Sequence, residues 1–268
     1  MSTPNHQQII TSNRDAWNES ARFHQEAASW TALKKEVRQE SFSCLDEVLT
    51  GLLERIDVKG KDVVQLCCNN GRETLSLMAL GAASVVGVDQ SSAFLAQAAE
   101  LTALSPYTAS FVEADIHALP ADLHGRFDVA LITIGVLNWM PDIQAFMAHV
   151  AATLKPGGTL VIYETHPVLE MLDPETSDPY RLTRSYFTQE PYVDDRVIVY
   201  EGQASAKGAS SYWFSHTLGE VVTAVLDSQL SLTHLKEYPH SNREELYDIY
   251  ENQDVQVPMC FTLTALKR

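Results

Sequence analysis

The chain has 268 residues, of which 45% are apolar, and a formal net charge of -16. That length suits one α/β domain with additions, or two small domains, with a core large enough to need no cross-links. Proteins that bind nucleic acid draw most of their affinity from cationic groups set against phosphates, and neither the acidic total nor any Lys/Arg cluster supplies them. The expected partner is a small-molecule substrate, with no nucleic acid.

The N-terminal stretch MSTPNHQQIITSNRD lacks the basic start and apolar centre of a signal peptide. No apolar run approaches the roughly 20 residues that cross a bilayer. The expectation is a soluble, cytoplasmic protein with no membrane partner, as a monomer or a homodimer. Residues 1–12 are polar and read as loose. From Asn13 to Trp30 the apolar spacing is helical, with Trp17, Ala21, Phe23 and His24 sharing a face. A second helix is predicted over Leu33–Ile56, with Val37, Leu45, Val48, Leu49 and Leu52 apolar, and Gly60 closes the section.

Strands and helices then alternate. KDVVQLC is a strand, RETLSLMALG a helix closed by Gly81, SVVGVD a strand, and Ser91–Leu104 a helix with Ser91 or Ser92 at its cap. ASFVEAD and RFDVALITI are strands, the latter apolar enough for burial on both faces. Asp142–Leu154 is a helix, KPGG a turn and TLVIYE a strand. Repeated β-α-β units imply a parallel sheet with helices on both sides. Residues 167–215 break the order, with strand-like pieces at RSYF and RVIVYEG. Thr217–Gln229 reads as a helix, LSLTHLKEYP as a strand, 239–256 as a polar acidic loop and MCFTLTALK as the last strand.

In open parallel sheets, ligands bind at the carboxyl ends of the strands. The first such end is VVQLCCNNG, where glycine normally permits close approach of the backbone. Only Gly71 remains, but Asn69 and Asn70 tolerate the left-handed conformation better than most residues. Cys67 and Cys68 belong to no C-x-x-C pair, so no metal is expected. Buried apolar thiols are the plainer reading of these two, of Cys44 and of Cys260. The second strand ends in GVDQS, where Asp89 could accept from both hydroxyls of a ribose; a surface aspartate at a helix start is the alternative. In EADIHALP, Asp115 could accept from an adenine amino group while Ile116 covers the ring. The fourth strand runs out through ITIGVLNWMPD, placing Asn138 and Trp139 over the same edge.

The series VVQLCCNNG, GVDQS, FVEADIHALP, FDVALITIGVLNWMPD and TLKPGGTLVIYE, in this order and spacing, resembles the class I S-adenosylmethionine (SAM)-dependent methyltransferases of small molecules. The resemblance covers roughly residues 58–165 and continues more weakly to 268. It implies an α/β, Rossmann-like, doubly wound seven-stranded sheet, mostly parallel with an antiparallel last strand. N-terminal helices (1–57) and an insertion (167–215) would form a lid around a core of 58–166 and 216–268. The implied cofactor is SAM, leaving as S-adenosylhomocysteine (SAH). By position, Asp89 and its neighbour Gln90 would meet the ribose, and Asp115 and Ile116 the adenine. Gln65, Cys67, Asn69, Asn70 and Gly71 would wrap the methionine part, and Gly135, Asn138 and Trp139 would close over it. The family usually has an acid at the Gln65 position and glycines at those of Cys67 and Asn69. Gln65 can accept a hydrogen bond but brings no charge.

Substrate contacts are expected from NRDAWNESARFH, which is similar to the N-terminal lid segment of small-molecule methyltransferases, through Trp17 and His24. In SSYWFSHTLGE, Tyr212 and Trp213 are further candidates, with packing as their first use. ETHP follows the fifth strand. An ordinary histidine is suited to proton transfer near neutrality, so His166 is the one candidate general base, against the plainer reading of a structural histidine. Six acids against two arginines between Asp173 and Asp195 read as a solvated loop. Two rivals stand beside a methyltransferase: a SAM/SAH-binding regulatory or partner protein without catalysis, and an NAD-dependent oxidoreductase. The latter lacks its G-x-G-x-x-G loop.

Overall fold

The structure is a computed structural model that describes residues 4–199 and 206–268. Three helices come first: α1 (His6–Glu26), α2 (Ala28–Glu36) and α3 (Glu47–Arg55). The polar lead is therefore helical from His6, not loose to residue 12. Asn5 and Gln8 explain why: the Asn5 side chain accepts from the Gln8 N–H, and the Gln8 side chain accepts from the Asn5 N–H. That reciprocal cap satisfies two N–H groups that the first turn otherwise leaves unpaired.

The single helix expected over Leu33–Ile56 is also corrected. It breaks between α2 and α3, because Val37 and Phe42 turn into an apolar cluster with Trp30, Leu75 and Leu101. Cys44 N–H is taken by the Ser76 hydroxyl at 3.0 Å, and Asp46 restarts the helix by accepting from Leu49 N–H at 2.8 Å.

The alternation that follows is β1 (Asp62–Leu66), α4 (Arg72–Ala79), β2 (Ser84–Asp89), α5 (Ser92–Leu104), β3 (Ser110–Glu113), β4 (Phe127–Thr133), α6 (Ile143–Thr153) and β5 (Leu154–Thr165). Beyond it lie the hairpin β6 (Tyr192–Arg196) and β7 (Lys207–Trp213), then α7 (Leu218–Asp227), β8 (Leu230–Tyr238) and β9 (Cys260–Lys267). RSYF (184–187) is a turn rather than a strand, and the hairpin forms from neighbouring residues instead. Of RVIVYEG, Arg196 ends β6, while Tyr200, Glu201 and Gly202 lie outside the described residues. The acidic stretch 239–256 carries a 3-10 helix, Glu245–Tyr250, which buries Tyr247 and Tyr250.

The seven-stranded sheet has the order β3-β2-β1-β4-β5-β9-β8. β9 runs antiparallel to both β5 and β8, while β3, β2, β1, β4 and β5 pair in parallel. This is the doubly wound sheet with an antiparallel last strand that the motifs imply. Successive residues of a strand face opposite sides. Val64, Leu66, Ala130, Ile132 and Ile162 pack with Phe146 of α6 and Val221 of α7. Val63, Val129, Leu131 and Val161 pack with Leu49, Leu53 and Leu77 on the other face. Each large apolar side chain so buried contributes about 1.5–3 kcal/mol. The order reverses at β1 and β4, so the loops after β1, β2, β4 and β5 converge on one edge.

Candidate active site

The first loop turns without the usual glycines. Cys67 has φ 56° and Asn69 φ 50°, both left-handed, followed by Gly71 at φ 71°. A left-handed backbone costs an L residue about 1–2 kcal/mol, and Asn pays least of the two types. Asn69 also accepts from the Asn70 N–H at 2.8 Å, which closes the turn locally. Gly71 has no substitute, since a Cβ there would lie 2.7 Å from the Phe111 ring. Cys68 is packing: its Sγ sits where a Cβ on Gly87 would come within 2.7 Å. All four cysteines are free thiols. Burial pushes the Cys67 and Cys68 thiols well above their usual range and that of Cys260 up to about 12.

Asp89 at the end of β2 joins the first two loops. Its Oδ2 accepts from Asn69 N–H at 2.7 Å and its Oδ1 from Ser91 N–H at 2.9 Å. Burial raises its carboxyl, while the N–H groups of Ser91, Asn69 and Gln90 pull in the other direction. A carboxylate has about four acceptor positions, so capacity for a further donor remains.

Gln65 lacks a charge, but the structure brings one to it. Its Nε2 donates to Glu73 Oε2 at 2.9 Å, and its Oε1 accepts from the Thr74 hydroxyl at 2.6 Å. Thr133, at the end of β4, donates to the same Glu73 oxygen. Glu73 Oε1 is bonded at 2.7 Å to Arg243 Nη2, and Arg243 Nη1 also reaches Cys44 O. Burial works against the ionised Glu73, but Arg243 and Arg72 outweigh it and hold the carboxyl below the ordinary range. Sequence reading missed both members of this ion pair. Glu73 stands two residues past Gly71, where its helical position could have flagged it, whereas Arg243 sits in a polar loop with no local signal.

A second carboxylate shapes the loop after β4. Glu164, 2% exposed on β5, accepts from the N–H groups of Gly135, Val136, Leu137 and Thr165. Burial pushes its carboxyl up to about 7 even though those four N–H groups favour the charged form. Gly135 takes φ 78° at the start of this loop. Beyond it, Asn138 Nδ2 donates to Glu170 Oε1 at 2.8 Å, and Asn138 O accepts from Phe214 N–H at 2.7 Å. Tyr247 also donates to Glu170 Oε1, at 3.3 Å. Glu170 is buried, which raises its carboxyl, and it was not foreseen.

α1 brings Trp17 to the same edge. Its ring lies 5.2 Å from that of Trp139 and 5.7 Å from that of Phe94. His24 packs edge-on to Phe94 at 5.1 Å, with Nε2 3.3 Å from Ile198 O. Asn13 clamps the backbone of Tyr212 with two bonds of 2.7 and 2.8 Å, so Tyr212 follows α1. Trp213 stacks obliquely on Tyr192 across the hairpin. Asp115 accepts from His117 N–H at 2.9 Å, and Ile116 beside it is buried.

His166 points elsewhere. Its Nδ1 accepts from Val168 N–H at 3.2 Å, and its ring meets Phe261 of β9 edge-on. Nε2 lies 3.0 Å from Glu237 Oε1 on β8, an ion-pair distance off the hydrogen-bond line. Burial lowers its pKa, against the pull of Glu237. Among the described residues no group of three or more His, Cys, Asp or Glu could hold a metal ion, and no helix is long and apolar enough to cross a membrane.

Residues 63–158 match the model of the methyltransferase domain family. Several curated proteins are similar to part of the chain. Demethylmenaquinone methyltransferase of Lactococcus lactis is 35% identical over 117 residues, 42% of this chain and 46% of that protein. The tRNA U34 carboxymethyltransferase of Pseudoalteromonas translucida is 31% identical over 117 residues, 41% of this chain and 34% of that protein. The match thus spans less than half the length of either. Among solved structures, 1,6-didemethyltoxoflavin-N1-methyltransferase of Burkholderia thailandensis superposes with a TM-score of 0.60 at 16% identity, covering 100% of this chain and 92% of that one. Its structure holds 1,6-didemethyltoxoflavin and SAH. The chain carries the fold of SAM-dependent methyltransferases, and its residues 63–158 match the model of a methyltransferase domain.

Proposed function

We propose that the protein is a SAM-dependent methyltransferase acting on a small molecule. The observation that carries this reading is the coupling of Asp89 at the end of β2 to the Asn69 N–H of the first loop. The residues fit the cofactor. Asp89 retains acceptor capacity for a ribose hydroxyl, and Glu73, paired with Arg243, stands beside Gln65 where the family usually has an acid. Asp115 and Ile116 would hold the adenine, and Gly135–Trp139 would close over the cofactor on the Glu164 cradle.

When bound, SAM supplies a methyl group already activated by its sulfonium. What remains for the chain is to align an acceptor with that group and to exclude water. Trp17, His24 and Tyr212 come from the α1–β7 unit and would face the acceptor. Trp213 would brace the hairpin behind them. A general base is needed only if the acceptor holds a proton at working pH. The partners around His166 suit a structural role, so no side chain is assigned as base here. The net charge of -16 favours a small acceptor over a long polyanion such as tRNA.

The test is calorimetric titration with SAH, with NAD in parallel, followed by methyl transfer from labelled SAM to a panel of small acceptors. Micromolar SAH binding, no NAD binding and turnover of an acceptor are expected. Absence of SAH binding would sink the reading. Tight SAH binding without turnover of any acceptor would favour a non-catalytic SAM/SAH-binding protein instead.

A further inference from the structure

Three glutamates are buried among the described residues: Glu73, Glu164 and Glu170. A buried carboxylate is costly unless donors fill its oxygens. Two of the three are filled at both. Glu73 holds Arg243 on Oε1, and Gln65 with Thr133 on Oε2. Glu164 holds two backbone N–H groups on each oxygen. Glu170 differs. Asn138 Nδ2 and the Tyr247 hydroxyl both donate to its Oε1, whereas its Oε2 accepts from none of the described residues. That oxygen is not sealed: it meets solvent, although the residue as a whole is only 5% exposed.

Asn138 adds a second open acceptor. An ionised carboxyl only accepts, so the amide turns its NH₂ toward Glu170 and its Oδ1 away. Oδ1 likewise takes no donor among the described residues and meets solvent, on a half-buried side chain. Two unfilled acceptors thus flank one hydrogen bond of 2.8 Å. The charge around them is mostly of one sign. Burial is the main reason that the Tyr247 phenol lies well above its usual range, but Glu170 and Glu244 add to it and Arg184 opposes them. Arg184 rests 3.8 Å from the centre of the Tyr192 ring and makes no ion pair with Glu170.

From this arrangement we infer that Glu170 Oε2 and Asn138 Oδ1 bind an amino group of the methyl acceptor, which makes the substrate class small amines. The inference rests on the SAM reading above, which sets the loop of Asn138 over the cofactor. An ammonium group brings three donors and no acceptor, and its charge offsets that of a carboxylate held away from water. An acceptor that presented a carboxylate here would meet two oxygens and a surplus of negative charge. Trp139, the next residue, lies edge-on to Trp17 and adds an aromatic surface beside the amine.

The test first measures SAH binding by itself, then titrates benzylamine and benzoate by calorimetry into the SAH-saturated protein. Wild type should bind benzylamine about tenfold more tightly than benzoate, or better. Glu170→Gln should bring the two within about twofold while SAH affinity stays within about twofold of wild type. Asn138→Ala, at a half-buried position, should narrow the preference by about threefold or more. Tyr247→Phe loosens Oε1 but spares Oε2, so it should keep the preference; a structural role for Glu170 alone would not separate these variants. Thermal melting without ligand reports whether each is folded. Benzoate bound as tightly as benzylamine, a preference that survives in both Glu170→Gln and Asn138→Ala, or binding of neither probe by a protein that binds SAH overturns the inference and leaves the SAM reading in place. A wild type that does not bind SAH overturns both.

Discussion

The cofactor half of the edge and the cap above it are held together in different ways. In the loops after β1 and β2, short-range bonds do the fastening: Asn70 N–H to Asn69 Oδ1, and Ser91 N–H to Asp89. In the cap, side chains of one segment grip the backbone of another far along the chain. Asn13 holds Tyr212, Glu19 accepts from Ala209 N–H, and Ser20 accepts from Ile198 N–H. Arg243, Glu73 and Glu164 form the seam between the two. The lesson is that the first loop is fastened largely within itself, whereas the cap is fastened to α1, whose Asn18 also accepts from Ser91 and Ala93 at the start of α5.

The seam should be the most costly place to break. Arg243→Met strands Glu73 as a buried, unpaired carboxylate and should destabilise the protein by about 3–5 kcal/mol in urea unfolding. Adding Glu73→Gln should recover much of that loss. A small effect of the single variant would show that the two regions do not depend on this pair.

Within the cofactor half, Asp89→Ala should weaken SAH by roughly 2–4 kcal/mol, about 30- to 1,000-fold. Unchanged SAH affinity removes Asp89 from the ribose role. The Asn13 clamp should be untouched, so protection of β7 amides against hydrogen exchange should match wild type.

Glu164 sharpens the comparison through pH. Burial pushes its carboxyl from the ordinary 4.5 up to about 7. The folded state then holds a proton that the unfolded state has released between those values, so this group's contribution falls as pH rises from about 4.5 to 7. The full swing is roughly 3 kcal/mol, from 1.36 kcal/mol per unit. Glu73, with its lowered pKa, works oppositely and loses its contribution as pH falls. The diagnostic is therefore the difference in unfolding free energy between wild type and Glu164→Gln. It should drift against wild type from pH 5 to 7; a flat difference would mean that the four N–H donors keep the carboxylate ionised throughout.

The smallest effect belongs to the cap alone. Asn13→Ala removes both bonds to Tyr212 and should weaken docking of the hairpin by about 1–2 kcal/mol. Amides of β7 should exchange about tenfold faster, while those of β1 and β4 hold their rates. Equal acceleration in β1 would show that cap and core open as one unit. His166→Asn is a companion control: a structural histidine predicts a lower melting temperature with methyl transfer within a few-fold of wild type.

What the sequence by itself determined is the part governed by local chemistry. Alternating apolar runs set the strands, Ser91 caps its helix as one of the two serines expected there, the helices expected from Asp142 and Thr217 start beside those residues, and Asp89 and Asp115 fall at the strand ends where a cofactor would be met. Periodicity and caps act over a few residues, so one chain suffices to show them. The break between α2 and α3 was hidden, because Val37 fits the helical pattern yet buries elsewhere, with Phe42. The charge beside Gln65 was hidden for a related reason. Glu73, Thr133 and Arg243 come from three separate segments, and only the crossover of the sheet brings them together. Tertiary structure alone decided that Glu164 cradles the loop after β4 and that His166 turns toward β8 and β9. A side chain's partner is chosen by the space left to it, and that space does not exist until the strands have paired.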